Sequence, residues 1–400
     1  MSDLSDLTSQ CIRCGFCLES CPTFLITGDE SQGPRGRIKL AREGEWDRDT
    51  YKAIDSCLGC RNCETACPSG VKYGEILELA RAELEPKHGR KARRQLLGGL
   101  TDPKKARLQF GLASFWPGEK MPGFLSQAVS GQAPEARTPT LPNPTPWPPL
   151  EERDLPPIRG EVYLLEGCVM RVLYPDVHEA TRRLLRRIGF AVRESDAGCC
   201  GALHAHAGHL DEAEAKAQAL AQSFSDDLPI IVNSAGCGST MKEYGHVVGK
   251  GLQQTAKRTY DITEFLLANG LKECLLSSPG FPNLTLTYHD ACHLAHGQKI
   301  TSPPRELLAA IPGVTLTPLP ESDLCCGSAG TYNIFQPQMA RKLLDRKWSN
   351  IAGTDAHIAV MGNPGCQGWI QQAADEAGSP IRVMHTADVL EAAFSGIRAR

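Results

Sequence analysis

Beyond residue 160, short apolar runs alternate with longer stretches in which apolar residues recur every three or four positions. The short runs at 161–165, 190–194 and 229–233 predict buried β-strands. The stretches at 175–189 and 202–224 predict helices, and a glycine ends the first of them. Strands that alternate with helices indicate an α/β fold with a parallel sheet.

The same order of elements then returns in the last third of the chain. Strands are predicted at 284–288, 314–319 and 356–361, helices at 303–311 and 338–350, and the tails 260–269 and 384–393 also correspond. A duplicated module is the simplest account of this repetition. The sequence therefore predicts a multidomain protein that ends in a duplicated α/β domain with parallel sheets, with modules at 161–275 and 276–400.

The first 160 residues follow a different pattern. Residues 1–90 predict a small helical, ferredoxin-like domain, in which 33–46 form a loop and a short basic helix. Residues 91–160 predict a connector. The basic stretch 87–107, which begins just before the connector, is expected to be a solvated helix face, with docking to a partner or an anionic membrane as the alternative.

The rest of the connector is apolar and then rich in proline. The apolar stretch 110–131 is expected to pack on its own protein, with a membrane or quinone-side contact as the alternative. Residues 133–160 contain so many prolines that they predict an extended linker. The boundary between the two halves of the chain is therefore expected there.

Composition narrows the class of protein. The 400 residues are 41% apolar and 22% charged, which is typical of globular domains, and the net charge is −3. A charge this small gives no reason to expect nucleic acid as a partner. No run of 18 apolar residues occurs, and the N-terminus carries no export signal, so we expect a cytoplasmic protein without a membrane span.

Cysteine is the unusual component. The chain has 17 cysteines, an odd number, and in a reducing compartment this indicates metal or redox chemistry rather than disulfides. Eight of them form two runs of C-x2-C-x2-C-x3-C-P that are offset by 46 residues. This is the bacterial ferredoxin pattern for two [4Fe–4S] clusters, in which the fourth cysteine of each run binds the other cluster.

The pattern predicts the ligands of both clusters. Cluster 1 is assigned to Cys11, Cys14, Cys17 and Cys67, and cluster 2 to Cys57, Cys60, Cys63 and Cys21. A zinc site is the alternative, but zinc modules usually pair two CxxC units or include histidine, and neither run has a histidine nearby.

Eight further cysteines lie at the predicted carboxyl ends of strands or on loops beside them. They are Cys168, Cys199, Cys200 and Cys237 in the first module and Cys292, Cys325, Cys326 and Cys366 in the second. Because ligands of open α/β sheets gather at this edge, each set is expected to come together and could hold a further iron–sulfur or metal centre. The alternative is a set of buried structural thiols. Cys274 lies outside the repeat and is expected to be a free thiol.

The histidines are weaker candidates. His204, His206 and His209 follow the first Cys-Cys-Gly and are expected on the surface of an alanine-rich helix, although they could assist a centre. His289 and His293 flank Cys292 and are better placed for ligation. No glycine-rich dinucleotide or phosphate loop of the usual kind occurs, so hydride chemistry is expected on another protein.

These motifs carry a resemblance to known families. The ferredoxin runs resemble the iron–sulfur subunits of succinate dehydrogenases and the small subunits of heterodisulfide reductases. The two modules resemble the CCG modules of heterodisulfide reductase catalytic subunits, which carry five cysteines each and end in CxxC. Here Thr240 and Trp369 stand at the last of those positions, so four thiolates per module remain. These could hold a cubane or another metal centre, or form an emptied scaffold.

Local segments narrow the resemblance further. The segments LCCGSAGTY (324–332), AGCCGALHAHAG (197–208) and SAGCGSTMKEYG (234–245) resemble iron–sulfur subunits of bacterial glycolate oxidases, as does the order of domains along nearly the whole chain. The resemblance implies an electron-transfer subunit of an oxidoreductase that acts on a CH–OH group. FAD is expected on partner subunits that oxidise glycolate to glyoxylate, and the complex is expected on the cytoplasmic face of the inner membrane, with a quinone or another acceptor.

Related families leave alternatives open. Iron–sulfur subunits of D-lactate and anaerobic glycerol-3-phosphate dehydrogenases share the architecture. Two other interpretations remain. The chain could be a CCG enzyme that reduces a disulfide at its own cluster, or a scaffold whose CCG half only binds partners.

Overall fold

The N-terminal part of the chain is helical and surrounds the two cysteine runs. The structure, a computed structural model, describes residues 4–113, 120–139, 141–142 and 146–396. Its first six helices are α1 (Leu4–Ser9), α2 (Pro22–Thr27), α3 (Pro34–Glu43), α4 (Arg48–Asp55), α5 (Asn62–Thr65) and α6 (Tyr73–His88). Proline occupies the first turn of α2 and α3, where its missing N–H leaves no helical hydrogen bond unmade.

Three helices of the connector follow. They are α7 (Lys91–Leu100), α8 (Pro103–Ala113) and α9 (Gly123–Val129). The basic stretch is only partly solvated, because Arg93 is buried and pairs with Asp55 at 2.7 Å. Residues 114–119 of the apolar stretch lie outside the described residues. Between residue 133 and the start of β1, the described residues form no helix or strand except the 3-10 turn Glu152–Asp154, and Trp147 is buried.

Each α/β module is built on a parallel sheet of four strands. The first module contains β1 (Gly160–Leu165), α10 (Val169–Leu173), α11 (Pro175–Arg187), β2 (Phe190–Arg193), α12 (Ala202–His206), α13 (Leu210–Gln222), β3 (Ile230–Val232), α14 (Ala235–Lys242), α15 (Gln253–Lys257), β4 (Thr259–Asp261), α16 (Ile262–Ala268) and α17 (Leu271–Leu276). The second contains β5 (Leu284–Tyr288), α18 (Ser302–Ala309), β6 (Val314–Thr317), α19 (Tyr332–Phe335), α20 (Pro337–Ala352), β7 (Ile358–Met361), α21 (Pro364–Glu376), β8 (Arg382–His385) and α22 (Thr386–Ser395).

The strand orders show the duplication directly. The sheets have the orders β2-β1-β3-β4 and β6-β5-β7-β8, and all pairs are parallel. The predicted fold class, a ferredoxin-like helical domain followed by a duplicated α/β domain, is thereby confirmed. Parallel order places the carboxyl ends of all four strands of a sheet at one edge, where the cysteine loops begin.

Two details of the sequence prediction are wrong. The prediction lacks strands β4 and β8, and the helix predicted at 202–224 is two helices, α12 and α13. The break falls at Gly208, whose φ is +83°. The position that a side chain would occupy at Gly208 faces the backbone of Arg81. A Cβ at Gly208 would come within 2.6 Å of that backbone, so only glycine permits the turn.

The two modules share one core. Apolar residues of β1 and α11 pack with those of β5, β7 and α22 in a single cluster. At its edge the fully buried carboxylate of Glu391 accepts hydrogen bonds from Arg183 at 2.7 Å and from Arg187 at 2.8 Å. Within the described residues, no helix is long and apolar enough to cross a membrane.

Two buried histidines at the boundary between the modules make stability depend on pH. The Nε2 of His385 lies 2.9 Å from the carbonyl oxygen of Asn233, and its Nδ1 accepts the N–H of Ala387. The Nδ1 of His178 lies 3.1 Å from the Asn233 amide. Burial lowers the pKa of both imidazoles to about 4, from an ordinary value of 6.5.

We therefore expect the free energy of unfolding to fall as the pH drops from 6.5 towards 4. In this range the two imidazoles bind protons in the unfolded chain but stay neutral in the folded one. Between pH 7 and pH 5 each histidine should contribute a loss of ~2 kcal/mol. Urea unfolding at both pH values measures this loss. The variant His385→Gln should show a smaller loss than the native chain, and an equal loss in both proteins would contradict the assignment.

Candidate metal centres

The backbone of the two cysteine runs repeats the same left-handed turns. In the first run Arg13 and Gly15 have φ of 61° and 88°, and in the second run Gly59 and Arg61 have φ of 67° and 64°. These positions are related by the same offset of 46 residues as the cysteines. A left-handed residue between successive cysteines turns the chain sharply, so that their side chains converge on one side.

The eight cysteines of the runs line two separate cavities. Cys11, Cys14, Cys17 and Cys67 line one cavity, which Cys63 also borders. Cys21, Cys57, Cys60 and Cys63 line a second cavity. In each cavity three cysteines come from one run and the fourth from the other, and this is the donor set that a cubane requires. The residues present therefore fit two [4Fe–4S] clusters.

The second cavity is buried and carries positive charge. Burial alone would raise the pKa of the Cys57 thiol, but the guanidinium groups of Arg37 and Arg81 lower it overall. Burial and the neighbouring thiolates raise the pKa of Cys60 and Cys63 well above the ordinary value. These thiols thus need a metal ion to ionise together, and Arg37 offsets part of the charge.

Hydrogen bonds to sulfur add to this environment. Cys57 Sγ accepts the N–H of Gly59 at 3.4 Å and the hydroxyl of Tyr73 at 3.5 Å. Cys21 Sγ lies 3.2 Å from the hydroxyl of Thr23. Such bonds stabilise the more negative state of a cluster and so help to set its reduction potential.

The first cavity lies at the surface. Cys14 is exposed, and the side chains of Ile12 and Phe16 on the same loop are 68% and 67% exposed. Burial, followed by the charge of Cys11, raises the pKa of Cys17 to about 11. The two cavities therefore differ, since the cysteines of the first are partly exposed to solvent and those of the second are buried.

Residues of both α/β modules contact the segment that surrounds the second, enclosed cavity. Arg61 bridges Glu64 at 2.8 Å and Glu243 of the first module at 2.6 Å. The hydroxyl of Tyr332 in the second module donates to the carbonyl of Ser56 at 2.8 Å. The Cys60 thiol is close enough to Cys292 for the negative charge of Cys292 to raise its pKa. The second run therefore faces the cysteines of the second module.

The cysteines of each α/β module contact one another. In the first module the thiol of Cys199 contacts those of Cys168 and Cys200, and Cys200 contacts Cys237. These hydrogen bonds lower the pKa of Cys199 well below the ordinary value. The corresponding contacts of the second module link Cys292 to Cys325, Cys325 to Cys326, and Cys326 to Cys366. Ligation of a metal by either set remains a proposal.

The expectation of surface histidines after the first Cys-Cys-Gly is wrong for one of the three. His204 is buried and its Nε2 lies 2.9 Å from the hydroxyl of Thr101. His206 is half-buried against Glu78, with 2.8 Å between Nδ1 and Oε1, and His209 is also half-buried. The reason is that the connector and α6 cover α12, which local sequence does not reveal. Cys274 is a free thiol on α17, as expected.

Sequence reasoning missed the charged residues around the second cavity. Arg37 and Arg61 are both buried, although arginines in basic or mixed segments are usually exposed. Apart from Glu64, which is three residues from Arg61, their partners are carbonyls, hydroxyls and a carboxylate from more distant parts of the chain. The segment 33–46 predicts only a basic helix, and its spacing from the cysteines gives no sign of this contact.

Comparisons with known families agree with this geometry. Residues 8–71 match the family model of the 4Fe-4S dicluster domain, and residues 162–242 and 286–371 both match that of the cysteine-rich domain CCG. The fold and the two cysteine-lined cavities thus define an iron–sulfur electron-transfer protein with a duplicated cysteine-rich domain.

Curated relatives identify the family. The chain is 32% identical to the glycolate oxidase iron–sulfur subunit of Escherichia coli K12, over 96% of this chain and 93% of that protein. It is 33% identical to the probable glycolate oxidase iron–sulfur subunit of Bacillus subtilis 168, over 95% and 92%. The chain belongs to the family of glycolate oxidase iron–sulfur subunits. It is also 26% identical to a subunit of the fumarate reductase (CoM/CoB) of Methanothermobacter marburgensis, over 96% and 72%.

Proposed function

We propose that this chain carries electrons within a complex that oxidises glycolate, or a related 2-hydroxy acid, to the corresponding 2-oxo acid. The hydride is removed on FAD-binding partner subunits. When bound, the two [4Fe–4S] clusters would accept and release single electrons. The two neighbouring cysteine-lined cavities, which share Cys63 in their linings, support transfer from one cluster to the other. The observation that carries the proposal is the contrast between the exposed first cavity and the enclosed second one.

The exposed cavity fits a docking site for the flavoprotein. Ile12, which also lines the first cavity, and Phe16 are exposed on the loop that carries Cys11, Cys14 and Cys17, and we call these two side chains the exposed tip. Electrons cross a protein interface efficiently only when the two centres are close, so the exposed face is the entrance expected for a partner. Large exposed apolar side chains are also the usual centres of binding interfaces.

The acceptor is proposed to be a quinone or a similar carrier, with the complex peripheral on the cytoplasmic face of the inner membrane. Support comes from the connector. Helix α8 exposes Lys104, Lys105 and Leu108, and α9 exposes Phe124 and Leu125. Basic and apolar side chains together favour an anionic membrane surface.

The experiment is anaerobic capture of the native complex through this chain, followed by addition of glycolate while the visible spectrum is recorded. Bleaching of both flavin and the broad iron–sulfur absorbance supports the proposal. If only D-lactate or glycerol 3-phosphate bleaches them, the architecture holds and glycolate is the wrong substrate. A complex without flavin that no hydroxy acid reduces would favour disulfide reduction at the CCG half.

The exposed tip gives a mutational test. In Phe16→Asp, reduction of the clusters by the partner should slow by about tenfold or more, since an interface aromatic contributes about 2 kcal/mol. Iron content should stay unchanged, because Phe16 is 67% exposed and lies outside the packed cores. Stopped-flow reduction measures the rate. Leu276→Asp, at a residue that is 61% exposed on α17, is the matched control and should reduce at the native rate. Equal rates in both variants would exclude this face as the entrance.

A further inference from the structure

A third cavity lies where the helical N-terminal domain meets both α/β modules. We call it the histidine cavity, because His206, His246 and His293 line it. Its walls include residues of α6, α12 and α14. Arg61 lines both the histidine cavity and the second cysteine cavity, to whose wall Cys60 belongs. A molecule bound in the histidine cavity would therefore lie beside the loop that carries Cys60.

Several buried polar atoms of this cavity are unpartnered. Among the described residues, four such atoms of its lining have no hydrogen-bond partner: His206 Nε2, His293 Nδ1, Thr240 Oγ1 and Arg61 Nε. The residues Thr240 and Arg61 are only 6% and 8% exposed. Buried polar groups in proteins are nearly always paired, so four of them around one cavity indicate a ligand that forms hydrogen bonds.

The charges around the cavity favour an uncharged ligand. Three carboxylates line it, those of Glu75, Glu78 and Glu243, together with the guanidinium groups of Arg61 and Arg81. Arg61 pairs with Glu243 at 2.6 Å, and Arg81 donates to backbone carbonyls. An anion would therefore face three carboxylates while both guanidinium groups are already engaged, which makes its binding unfavourable.

The rest of the wall is apolar. Leu77, Val247 and Val248 line the cavity, and Leu77 and Val248 are buried. An apolar wall with a few polar atoms is the usual setting for a flat organic ligand that carries hydrogen-bonding oxygens. Disulfide sulfurs are only weak acceptors and would leave the polar atoms poorly paired.

One side of the cavity is equipped to transfer protons. The Nδ1 of His206 lies 2.8 Å from Oε1 of Glu78. Because a carboxylate accepts the hydrogen bond, Nδ1 carries the hydrogen and Nε2 is free to take up and release a proton. An imidazole held by a carboxylate in this way is a common general acid or base. Water reaches the opposite edge, where the side chain of His246 is 52% exposed.

We propose that the histidine cavity binds the ring of a quinone and is the place where that quinone is reduced. The inference rests on the proposed function, because the two electrons come singly from the cluster that the neighbouring cysteine cavity would hold. Two electrons and two protons convert both C=O groups into the C–OH groups of a hydroquinone. His206 Nε2 gives one proton and regains it from water, and the second proton comes from water beside His246. The Thr240 hydroxyl and the Arg61 Nε–H donate to the quinone oxygens.

The first test is reoxidation of the full chain with its clusters, after anaerobic reduction with just enough dithionite. The chain is mixed with duroquinone, whose four methyl groups block addition of thiols, and the return of the iron–sulfur absorbance is followed by stopped flow. We expect the native rate to saturate as duroquinone increases. In His206→Gln the maximal rate should fall by about 100-fold, the usual effect of losing a general acid.

Glu78→Gln separates proton transfer from binding. Its amide oxygen can still accept the hydrogen bond of His206 Nδ1, but the charge that stabilises the imidazolium is lost. The maximal rate should fall by about tenfold or more, while the duroquinone concentration that gives half of this rate stays unchanged.

The second test measures binding without turnover, by equilibrium dialysis of the oxidised chain against duroquinone. We expect about one site per chain. In Thr240→Val, which keeps the shape of the side chain but loses its hydroxyl, the affinity should fall by about fivefold, the effect of one hydrogen bond.

His209→Gln is the matched control. His209 is a half-buried histidine of the same segment, but its ring contacts that of His204, so the variant should bind and reduce duroquinone as the native chain does. Unchanged iron content and circular dichroism will show that the variants are folded.

Three results would each overturn the proposal. They are a native chain that binds no duroquinone, a reoxidation rate that rises linearly without saturation, as direct oxidation at the exposed first cavity would, and equal rates in His206→Gln and His209→Gln. Dithionite takes the place of the flavoprotein in this experiment. The quinone test and the glycolate test can therefore fail separately.

Discussion

Replacement of Cys60 by serine is expected to remove the enclosed cluster and stop electron transfer through the chain. Cys60 lies in the wall of the second cavity, together with Cys21, Cys57 and Cys63. Serine ionises far less readily than cysteine and is a poor ligand for iron, so three thiolates would remain. Iron should fall from about eight to about four per chain, and turnover with the partner by about 100-fold or more.

Iron analysis and low-temperature electron paramagnetic resonance of the reduced chain measure this loss. Cys274→Ser is the matched control, because this half-buried thiol on α17 lines neither cysteine cavity. It should keep its iron and its turnover. A Cys60→Ser chain that retained eight irons would refute the assignment of Cys60 to a cluster.

The chemistry of the chain could be predicted from sequence because it lies in short, periodic patterns. The spacing of the two runs predicts which thiols share a cluster. The left-handed turns at Gly59 and Arg61 are local features of the same short segment. The strands β1 and β5 are equally clear, since β1 ends in the buried apolar run 162–165, β5 alternates leucine with threonine, and both are flanked by loops. The duplication in turn predicts that each module gathers its own cysteines.

What the sequence does not predict depends on contacts between distant segments. Strand β4 has only three residues, and its edge position leaves one of them, Tyr260, exposed, so no apolar pattern marks it. His204 is buried because the connector covers α12, and Arg61 because Glu243 reaches it from the first module. The buried Nδ1 of His289 lies 3.1 Å from the carbonyl oxygen of Ser322, which is 33 residues away in the chain.

The asymmetry of the two cavities also lies beyond the sequence repeat. The runs are alike in spacing, yet one is enclosed by the two modules and the other is open. Burial raises the energetic cost of the extra negative charge on a reduced cluster, whereas nearby cations and hydrogen bonds lower that cost. Arg37 is the residue on which this balance depends for the enclosed cavity.

Loss of the Arg37 charge is therefore expected to lower both stability and reduction potential. The side chain is 1% exposed, its Nε donates to the carbonyl of Ala53 at 2.7 Å, and its Nη2 donates to Thr23 at 3.1 Å and Ser56 at 2.9 Å. Its charge also favours the ionised form of Cys57. In Arg37→Gln the free energy of unfolding should fall by ~3 kcal/mol, because buried acceptors and thiolates lose their partner.

The potential of the enclosed cluster should become more negative by on the order of 60 mV, equivalent to about 1.4 kcal/mol for one electron. Lys39→Gln is the matched control, because it removes one positive charge from the exposed side of the same helix, α3. There Lys39 pairs with Glu43 at 3.5 Å. Redox titration followed by electron paramagnetic resonance separates the two clusters. If both variants shifted the potential equally, net charge rather than the buried position of Arg37 would set it. If Arg37→Gln left the potential unchanged, the hydrogen bonds to Cys57 and Cys21, rather than the charge of Arg37, would set the potential of the enclosed cluster.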